Sequence, residues 1–108
     1  MEKIVERNLL YDFYGDLLTD YQKKIYEDSA YADLSLSEIA DTYEISKQSV
    51  HDLLKRCDKQ LLSSEEKLHL ISRFQKIKEL TAQIRELADG SDDPQKLLDL
   101  TDEIMKQL

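Results

Sequence analysis

Residues 36–55 carry the pattern of two short helices joined by a tight turn. Ser35, with Glu38 three residues later, is a capping-box signature for the first helix, and Ser46 offers an N-cap for the second. Ala40 is small where the second helix would cross closest, and such a motif needs small or apolar residues at fixed points. The contacts between the two helices would come from five hydrophobic positions, namely Ile39, Tyr43, Ile45, Val50 and Leu53. The pattern therefore predicts a helix-turn-helix.

Glu44 is the position at which this pattern departs from the ideal. Glycine is usual there because the backbone of the turn often takes a positive φ. A residue with a Cβ atom loses on the order of 1 kcal/mol in that conformation. We expect the packing around the turn to absorb this cost, so that the turn is slightly altered and not lost.

The rest of the chain also predicts long helices, because its 108 residues include only two glycines and one proline to form turns. Hydrophobic residues at three-and-four spacing predict helices over residues 3–18, 20–30, 65–89 and 94–108. Thr19 and Gln22 give the second of these a capping box. Gly90 is expected to close the third in the C′ position, and Asp92-Asp93-Pro94 to open the last. The predicted fold class is all-α.

The inner faces of the first two predicted helices follow from the same spacing. The first helix would bury Leu10, Phe13, Tyr14, Leu17 and Leu18, and the second would bury Tyr21, Ile25 and Tyr26. In the second helix of the motif, the inner face would hold Val50, Leu53 or Leu54, and Cys57. These faces would form one core around the helix-turn-helix.

The region around residue 62 divides the predicted chain into two units. Ser63-Ser64-Glu65-Glu66 has the residues of a helix start, so we expect a break there. The hydrophobic positions 54, 57, 61 and 68 also permit one uninterrupted helix, and the break is the preferred interpretation. The sequence thus predicts an N-terminal helical unit over 1–62 that contains the helix-turn-helix, and a C-terminal helical hairpin over 63–108.

The C-terminal unit has the hydrophobic spacing of a helix–helix interface. Its long helix carries one stripe, made of Leu70, Ile77, Leu80, Ile84 and Leu87. Its last helix offers a matching stripe of Leu97, Leu100, Ile104 and Leu108. These stripes can pack within one chain, between two chains or against a protein partner, and we favour a homodimer. Two recognition helices in one dimer would read DNA half-sites about 34 Å apart.

Charge is distributed unevenly along the chain, whose net charge is −8. An acidic protein is a poor indiscriminate binder of nucleic acid, since such binding draws on positive surface. Residues 45–60 are the positive stretch, in which Lys47, Lys55, Arg56 and Lys59 outnumber Asp52 and Asp58. Because this stretch coincides with the second helix of the motif, it predicts a nucleic-acid contact there.

The outward side chains of that helix are the candidate nucleic-acid contacts, namely Lys47, Gln48, Ser49, His51, Lys55 and Arg56. Gln48 can address adenine through two hydrogen bonds, and Lys47 can reach guanine or a phosphate. Lys55 and Arg56 lie further along the helix and suit the phosphate backbone. Asp52 would repel phosphates unless it faces a cytosine amine or pairs with Lys55 or Arg56. The alternative interpretation is a solvated helix face without a ligand.

The sequence offers no constellation of catalytic or metal-ligating residues, so we predict neither an enzyme nor a cofactor. Cys57 is the single cysteine, which favours a small buried hydrophobic role. His51 and His69 lack partners at metal-ligand spacing. Neither a signal segment nor an apolar run approaching the roughly 20 residues of a membrane span is seen, so we expect a soluble, cytoplasmic protein.

Two family resemblances extend this interpretation. Residues 18–22, the stretch Leu34-Ser35-Leu36-Ser37-Glu38-Ile39-Ala40, and Ile45-Ser46 together resemble region 4 of bacterial sigma factors. That region recognises promoter DNA with a helix-turn-helix. The resemblance therefore implies a sigma region 4-like fold around the predicted motif and DNA as its partner.

The chain more closely resembles the YlxM family of bacterial proteins, specifically over residues 8–62. The resemblance is carried by Asn8-Leu9-Leu10-Tyr11-Asp12-Phe13-Tyr14 and by the motif ending Val50-x-Asp52-x-x-Lys55-Arg56. That family comprises small DNA-binding proteins encoded beside the signal-recognition-particle GTPase. The resemblance implies a DNA-binding regulatory protein with a role in that pathway. The alternative is a protein- or RNA-binding accessory of the signal recognition particle in which the helix-turn-helix is only a scaffold.

Overall fold

The computed structural model describes the backbone of residues 3–90 and 93–108, and the side chains from Glu6 onward within those ranges. All regular elements in those ranges are helical, which confirms the predicted all-α fold. A short 3-10 turn, Gly15–Leu17, follows the first helix. The α-helices are α1 (Lys3–Tyr14), α2 (Asp20–Ala30), α3 (Leu36–Tyr43), α4 (Lys47–Leu68), α5 (Leu70–Gly90) and α6 (Pro94–Gln107).

Side-chain caps fix where α2 and α3 begin. The Thr19 hydroxyl oxygen accepts a hydrogen bond from the backbone N–H of Gln22 at 3.2 Å, and the Gln22 side chain accepts one from the Thr19 N–H at 2.9 Å. Ser35 and Glu38 make the same reciprocal pair at 3.1 and 3.2 Å. Each pair satisfies N–H groups that the first turn of a helix leaves without a partner. Both predicted capping boxes are confirmed.

Helix α4 runs without a break through Ser63 and Ser64, so the predicted break at this point is wrong. The hydroxyl of Ser64 donates to the backbone oxygen of Gln60 at 2.9 Å, a bond that satisfies a serine inside a helix. The helix ends at Leu68, and His69 takes a φ of 57° before α5 begins. The chain accordingly divides into two compact units, Met1–Leu68 and His69–Leu108.

The core of the N-terminal unit lies where α2, α3 and α4 meet. Ile25, Ile39 and Val50 are fully buried there, and Ala40 is buried beside them. Around them pack the partly buried side chains of Leu34, Tyr43, Ile45, Leu53 and Leu54. The other buried residues of this unit include Leu10, Tyr14, Leu18, Tyr26, Cys57 and Leu61. The predicted contacts of the helix-turn-helix are thus confirmed.

Two residues that the sequence places on the inner faces of the first two helices lie at the surface instead. Leu17 is 55% exposed because α1 gives way to the 3-10 turn, whose three residues per turn shift the direction of the following side chains. Leu18 takes the buried place. Tyr21 is 47% exposed, and its ring packs edge-on against that of Tyr43, with 5.8 Å between the ring centroids.

In the C-terminal unit, α5 and α6 pack against each other. Leu80 is buried. Six other residues of the two predicted stripes are partly buried, namely Ile77, Ile84, Leu87, Leu97, Leu100 and Ile104. Packing within one chain, one of the arrangements that the sequence permits, is therefore present. Self-association of this unit stays a prediction.

The end of α5 and the start of α6 differ in how well the sequence predicts them. Gly90 is the last residue of α5 and has no positive φ, so the predicted C′ role is wrong; this glycine simply continues the helical backbone. Asp93 caps α6 by accepting a hydrogen bond from the Lys96 N–H at 3.2 Å, and Pro94 is the first helical residue as predicted. Asp92 lies outside the described residues. No helix in the described ranges is long and apolar enough to cross a membrane.

Candidate nucleic-acid interface

The turn between α3 and α4 is held by the backbone around Glu44. This residue lies in the left-handed region with φ 57° and ψ 43°. The next N–H, that of Ile45, donates to the oxygen of Ala40 at 3.0 Å, which closes a Schellman-type end to α3. The expectation that a non-glycine residue can occupy this turn without losing it is confirmed.

Ser46 fixes the start of α4. Its hydroxyl oxygen accepts a hydrogen bond from the Ser49 backbone N–H at 3.0 Å and lies 2.9 Å from the Ser49 hydroxyl, to which it donates. The predicted N-cap is confirmed. Because the Ser49 hydroxyl oxygen accepts the hydrogen bond from Ser46, the Ser49 hydroxyl can still donate its own proton to another acceptor.

The six side chains predicted as nucleic-acid contacts are all exposed on α4, namely Lys47, Gln48, Ser49, His51, Lys55 and Arg56. The opposite side of the helix faces the core through Val50, Cys57 and Leu61, each of them fully buried. Helix α4 therefore presents one polar side outward along about 18 Å from residue 47 to residue 59, at 1.5 Å per residue.

Asp52 lies in the middle of this polar side and is paired differently from the prediction. The Gln48 side-chain amide donates to Asp52 Oδ1 at 2.9 Å, and His51 Nδ1 lies 3.4 Å from the same oxygen. The pKa of the Asp52 carboxyl lies below its usual range, chiefly because of the hydrogen bond from Gln48 and to a smaller extent because of the one from His51. The carboxylate is thus an ionised partner of Gln48, and no hydrogen bond to Lys55 or Arg56 is found among the described residues.

Three basic residues follow Asp52 on the same side of α4, and we call them the cation cluster: Lys55, Arg56 and Lys59. Together with Asp52 they line one open depression of the surface. Within residues 6–90 and 93–108, none of the three forms an ion pair with a carboxylate within 4.0 Å. Elsewhere in the N-terminal unit, Arg7 and Lys23 are paired with acidic residues. The cation cluster is therefore available to an external anion.

A polar network holds α4 against α1 and α2, and it joins residues too far apart in the chain for a local pattern to predict it. Asp58 Oδ1 accepts hydrogen bonds from Arg7 Nε and from the Tyr26 hydroxyl, each at 3.2 Å. The Arg7 guanidinium also lies 5.2 Å from the centroid of the Tyr26 ring. Burial, and then the negative charge of Asp58, raise the pKa of Tyr26 to about 12. These contacts join α1 and α2 to α4 at Asp58, which lies in the chain between Arg56 and Lys59 of the cation cluster.

The remaining residues that the sequence singled out have structural positions. Cys57 is fully buried, and burial raises the pKa of its thiol, which suits the predicted hydrophobic role. His69 is exposed at the joint between α4 and α5. No group of three histidine, cysteine or acidic side chains placed to hold a metal ion is found in the part of the chain that the structure describes.

Comparison with known proteins identifies the motif with a family. A profile of the UPF0122 family, described as "Putative helix-turn-helix protein, YlxM / p13 like", matches residues 1–101. The chain belongs to the UPF0122 family. The match covers both compact units almost completely, so the family shares the C-terminal unit as well as the helix-turn-helix. The predicted resemblance to YlxM proteins is confirmed.

Individual relatives agree with this assignment. The UPF0122 protein YlxM of Bacillus subtilis is 41% identical over 106 residues, covering 98% of this chain and 96% of the relative. A UPF0122 protein of Bacillus pumilus is 45% identical over 91 residues, covering 84% and 83% of the two chains. One from Clostridium botulinum is 49% identical over 77 residues, covering 68% and 67%.

Proposed function

We propose that this protein binds duplex DNA through the polar side of α4 and acts as a non-enzymatic regulatory protein. The observation that carries the proposal is the cation cluster, which is exposed on the second helix of a helix-turn-helix and has no ion-pair partner among the described residues. In such motifs the start of the second helix meets base edges in the major groove. Lys47, Gln48, Ser49 and His51 occupy that start, and the cation cluster follows where phosphates are contacted.

Binding of a fluorescently labelled duplex of random sequence, followed by anisotropy at 50 mM salt, tests this proposal. Lys55→Glu combined with Arg56→Glu is expected to lower the affinity at least tenfold, because two phosphate contacts become two repulsions. Lys78→Glu combined with Arg85→Glu makes the same change of net charge at exposed positions of α5. This control is expected to stay within about twofold, since neither residue belongs to the proposed contact surface and neither displaces a counterion there. A first variant that binds as well as the parent removes the proposal.

Asp52 favours a second candidate function, a protein- or RNA-binding accessory of the signal recognition particle in which the helix-turn-helix is a scaffold. Its ionised side chain is 51% exposed on the side of α4 that carries the cation cluster, where it opposes a close phosphate backbone. The resemblance to the YlxM family supplies the pathway. The same assay with the RNA and the GTPase of that particle separates the two functions, because an accessory binds one of these more tightly than random duplex DNA. Both functions place the protein in the cytoplasm.

We further propose that the C-terminal unit holds two copies of the chain together. Helix α6 has no buried residue, and two of its hydrophobic side chains, Leu98 and Met105, are largely exposed, as is Leu108 directly after the helix. Units of about 40 residues usually need oligomerisation or another staple to be stable. In the predicted stripe of α5, Leu70 is 41% exposed, whereas Leu80 is buried within the chain. The surface left for a second copy therefore includes α6 as well as the predicted stripe.

Sedimentation equilibrium at micromolar concentration tests this dimer. Leu98→Lys combined with Met105→Lys is expected to give a monomer, because it places two charges in the apolar contact. Gln75→Lys combined with Ala82→Lys adds the same charge at exposed positions on the opposite side of α5 from Leu80, and is expected to leave the dimer intact. A monomeric parent protein contradicts the proposal.

A further inference from the structure

The pairing of Gln48 with Asp52 determines which groups of the glutamine are free to meet a ligand. Gln48 Nε2 donates one of its two N–H groups to Asp52 Oδ1 across one helical turn. The second N–H group and the carbonyl oxygen of Gln48 remain for an external partner. A glutamine reads adenine with one N–H donor and its carbonyl acceptor. The pairing therefore leaves intact the groups that base recognition requires and restricts the rotation of the side chain.

The charge of Asp52 has a second consequence, which concerns the phosphate backbone. The carboxylate is half-exposed and its pKa lies below the usual range, so it stays ionised at neutral pH. It lines the same depression as Lys55, Arg56 and Lys59. A phosphate placed over the far end of this depression meets three cations, whereas one placed over Asp52 meets a charge of its own sign and is repelled. Asp52 thus separates the stretch of α4 that suits phosphates from the stretch that suits base edges.

We propose that Asp52 determines the sequence specificity of α4, because it orients Gln48 towards a base edge and disfavours complexes in which a phosphate covers the start of the helix. The inference rests on the proposed DNA-binding function and deepens it. Asp52 lowers the affinity for arbitrary DNA and thereby widens the difference between arbitrary and preferred sites. In an acidic protein with a small cation cluster, this difference is the quantity that makes a site recognisable.

Three variants separate the two roles of Asp52, and far-UV circular dichroism checks that each folds. Asp52→Asn removes the charge and keeps an acceptor for Gln48, Asp52→Ala removes both, and Gln48→Ala removes the reading group. Each is measured in two ways: affinity for a random-sequence duplex by anisotropy, and base enrichment after selection from a duplex library with randomised positions. The wild-type protein and the Lys55→Glu, Arg56→Glu variant complete the set.

Both Asp52 variants are expected to bind random duplex about fivefold more tightly than wild type, because one repulsion is removed. Asp52→Asn is expected to keep the base that wild type enriches, whereas Asp52→Ala and Gln48→Ala are expected to lose it at the same position. If both Asp52 variants match wild type in affinity and enrichment while Lys55→Glu, Arg56→Glu loses binding, DNA binding stands and the inference fails. A wild type that binds without enriching any base also overturns the inference. A wild type that binds no duplex overturns the inference and the proposed function together.

Discussion

Replacing Glu44 with glycine changes the turn of the helix-turn-helix at its most strained residue, which has φ 57° and ψ 43°. A residue with a Cβ atom in this region costs about 1–2 kcal/mol relative to glycine. Glycine also lowers the free energy of unfolding by about 0.4–1 kcal/mol, because it gives the unfolded chain more conformational freedom. Glu44 is exposed, so little packing is lost with its side chain. We therefore expect Glu44→Gly to raise the free energy of unfolding of the N-terminal unit by about 1 kcal/mol.

Tyrosine fluorescence during urea unfolding measures this gain, because all six tyrosines lie between residues 11 and 43 and the chain has no tryptophan. A gain of this size raises Tm by about 4–8 °C in a unit of this length. Glu44→Ala keeps the Cβ atom and Glu44→Gln removes only the charge, so neither should reproduce the gain. The reasoning is refuted if Glu44→Ala stabilises the unit as much as Glu44→Gly, or if Glu44→Gly has no effect.

Two further substitutions test the packing behind α4. Tyr26→Phe should lower the free energy of unfolding by about 1–2 kcal/mol, because the hydroxyl bound to Asp58 is lost; an unchanged urea midpoint would contradict this. Because the pKa of Tyr26 is raised in the folded protein, the folded protein keeps a proton that the unfolded chain loses as the pH passes about 10. The free energy of unfolding should therefore fall as the pH rises from about 10 to about 12, and it should fall less in Tyr26→Phe. Cys57→Ser should cost about 1–3 kcal/mol in the same measurement, since it buries a hydroxyl among hydrophobic residues; a neutral result would show that the site admits a hydrogen bond.

The helix-turn-helix could be predicted from the sequence because its determinants are local. The capping box of Ser35 and Glu38 joins residues three apart, and the hydrophobic positions of α3 and α4 follow the helical period. The positive φ of Glu44 follows from its place after the last turn of α3. Each of these features depends on a few neighbouring residues, so a single sequence is enough to predict it.

Features that depend on distant residues or on ambiguous local signals could not be predicted in the same way. Arg7 and Asp58 are 51 positions apart, so only the packing of α1 on α4 brings them together. Ser63 and Ser64 resemble a helix start, yet a serine bonded to the preceding turn sits inside a helix equally well. The joint after Leu68 falls at His69; histidine adopts a left-handed backbone more often than most non-glycine residues, yet too rarely for the residue alone to predict a joint.

The sequence around Asp52 contains two competing signals for its partner, an amide side chain before it and two basic side chains after it. Gln48 lies four residues before Asp52, a spacing at which helical side chains meet, and the structure joins these two. Lys55 and Arg56 lie three and four residues after Asp52, and their opposite charge favours an ion pair with it. A hydrogen bond with good geometry satisfies the carboxylate and leaves the two cations to the solvent.

The salt dependence of duplex DNA binding tests most directly whether the polar side of α4 is a nucleic-acid interface. If each of the three residues of the cation cluster neutralises one phosphate, three counterions are displaced, and the affinity of the wild-type protein should fall roughly fortyfold between 50 and 200 mM salt. The Lys55→Glu, Arg56→Glu variant should show a much shallower dependence. An affinity that hardly changes over this range, or the same slope in both proteins, would contradict the proposed interface.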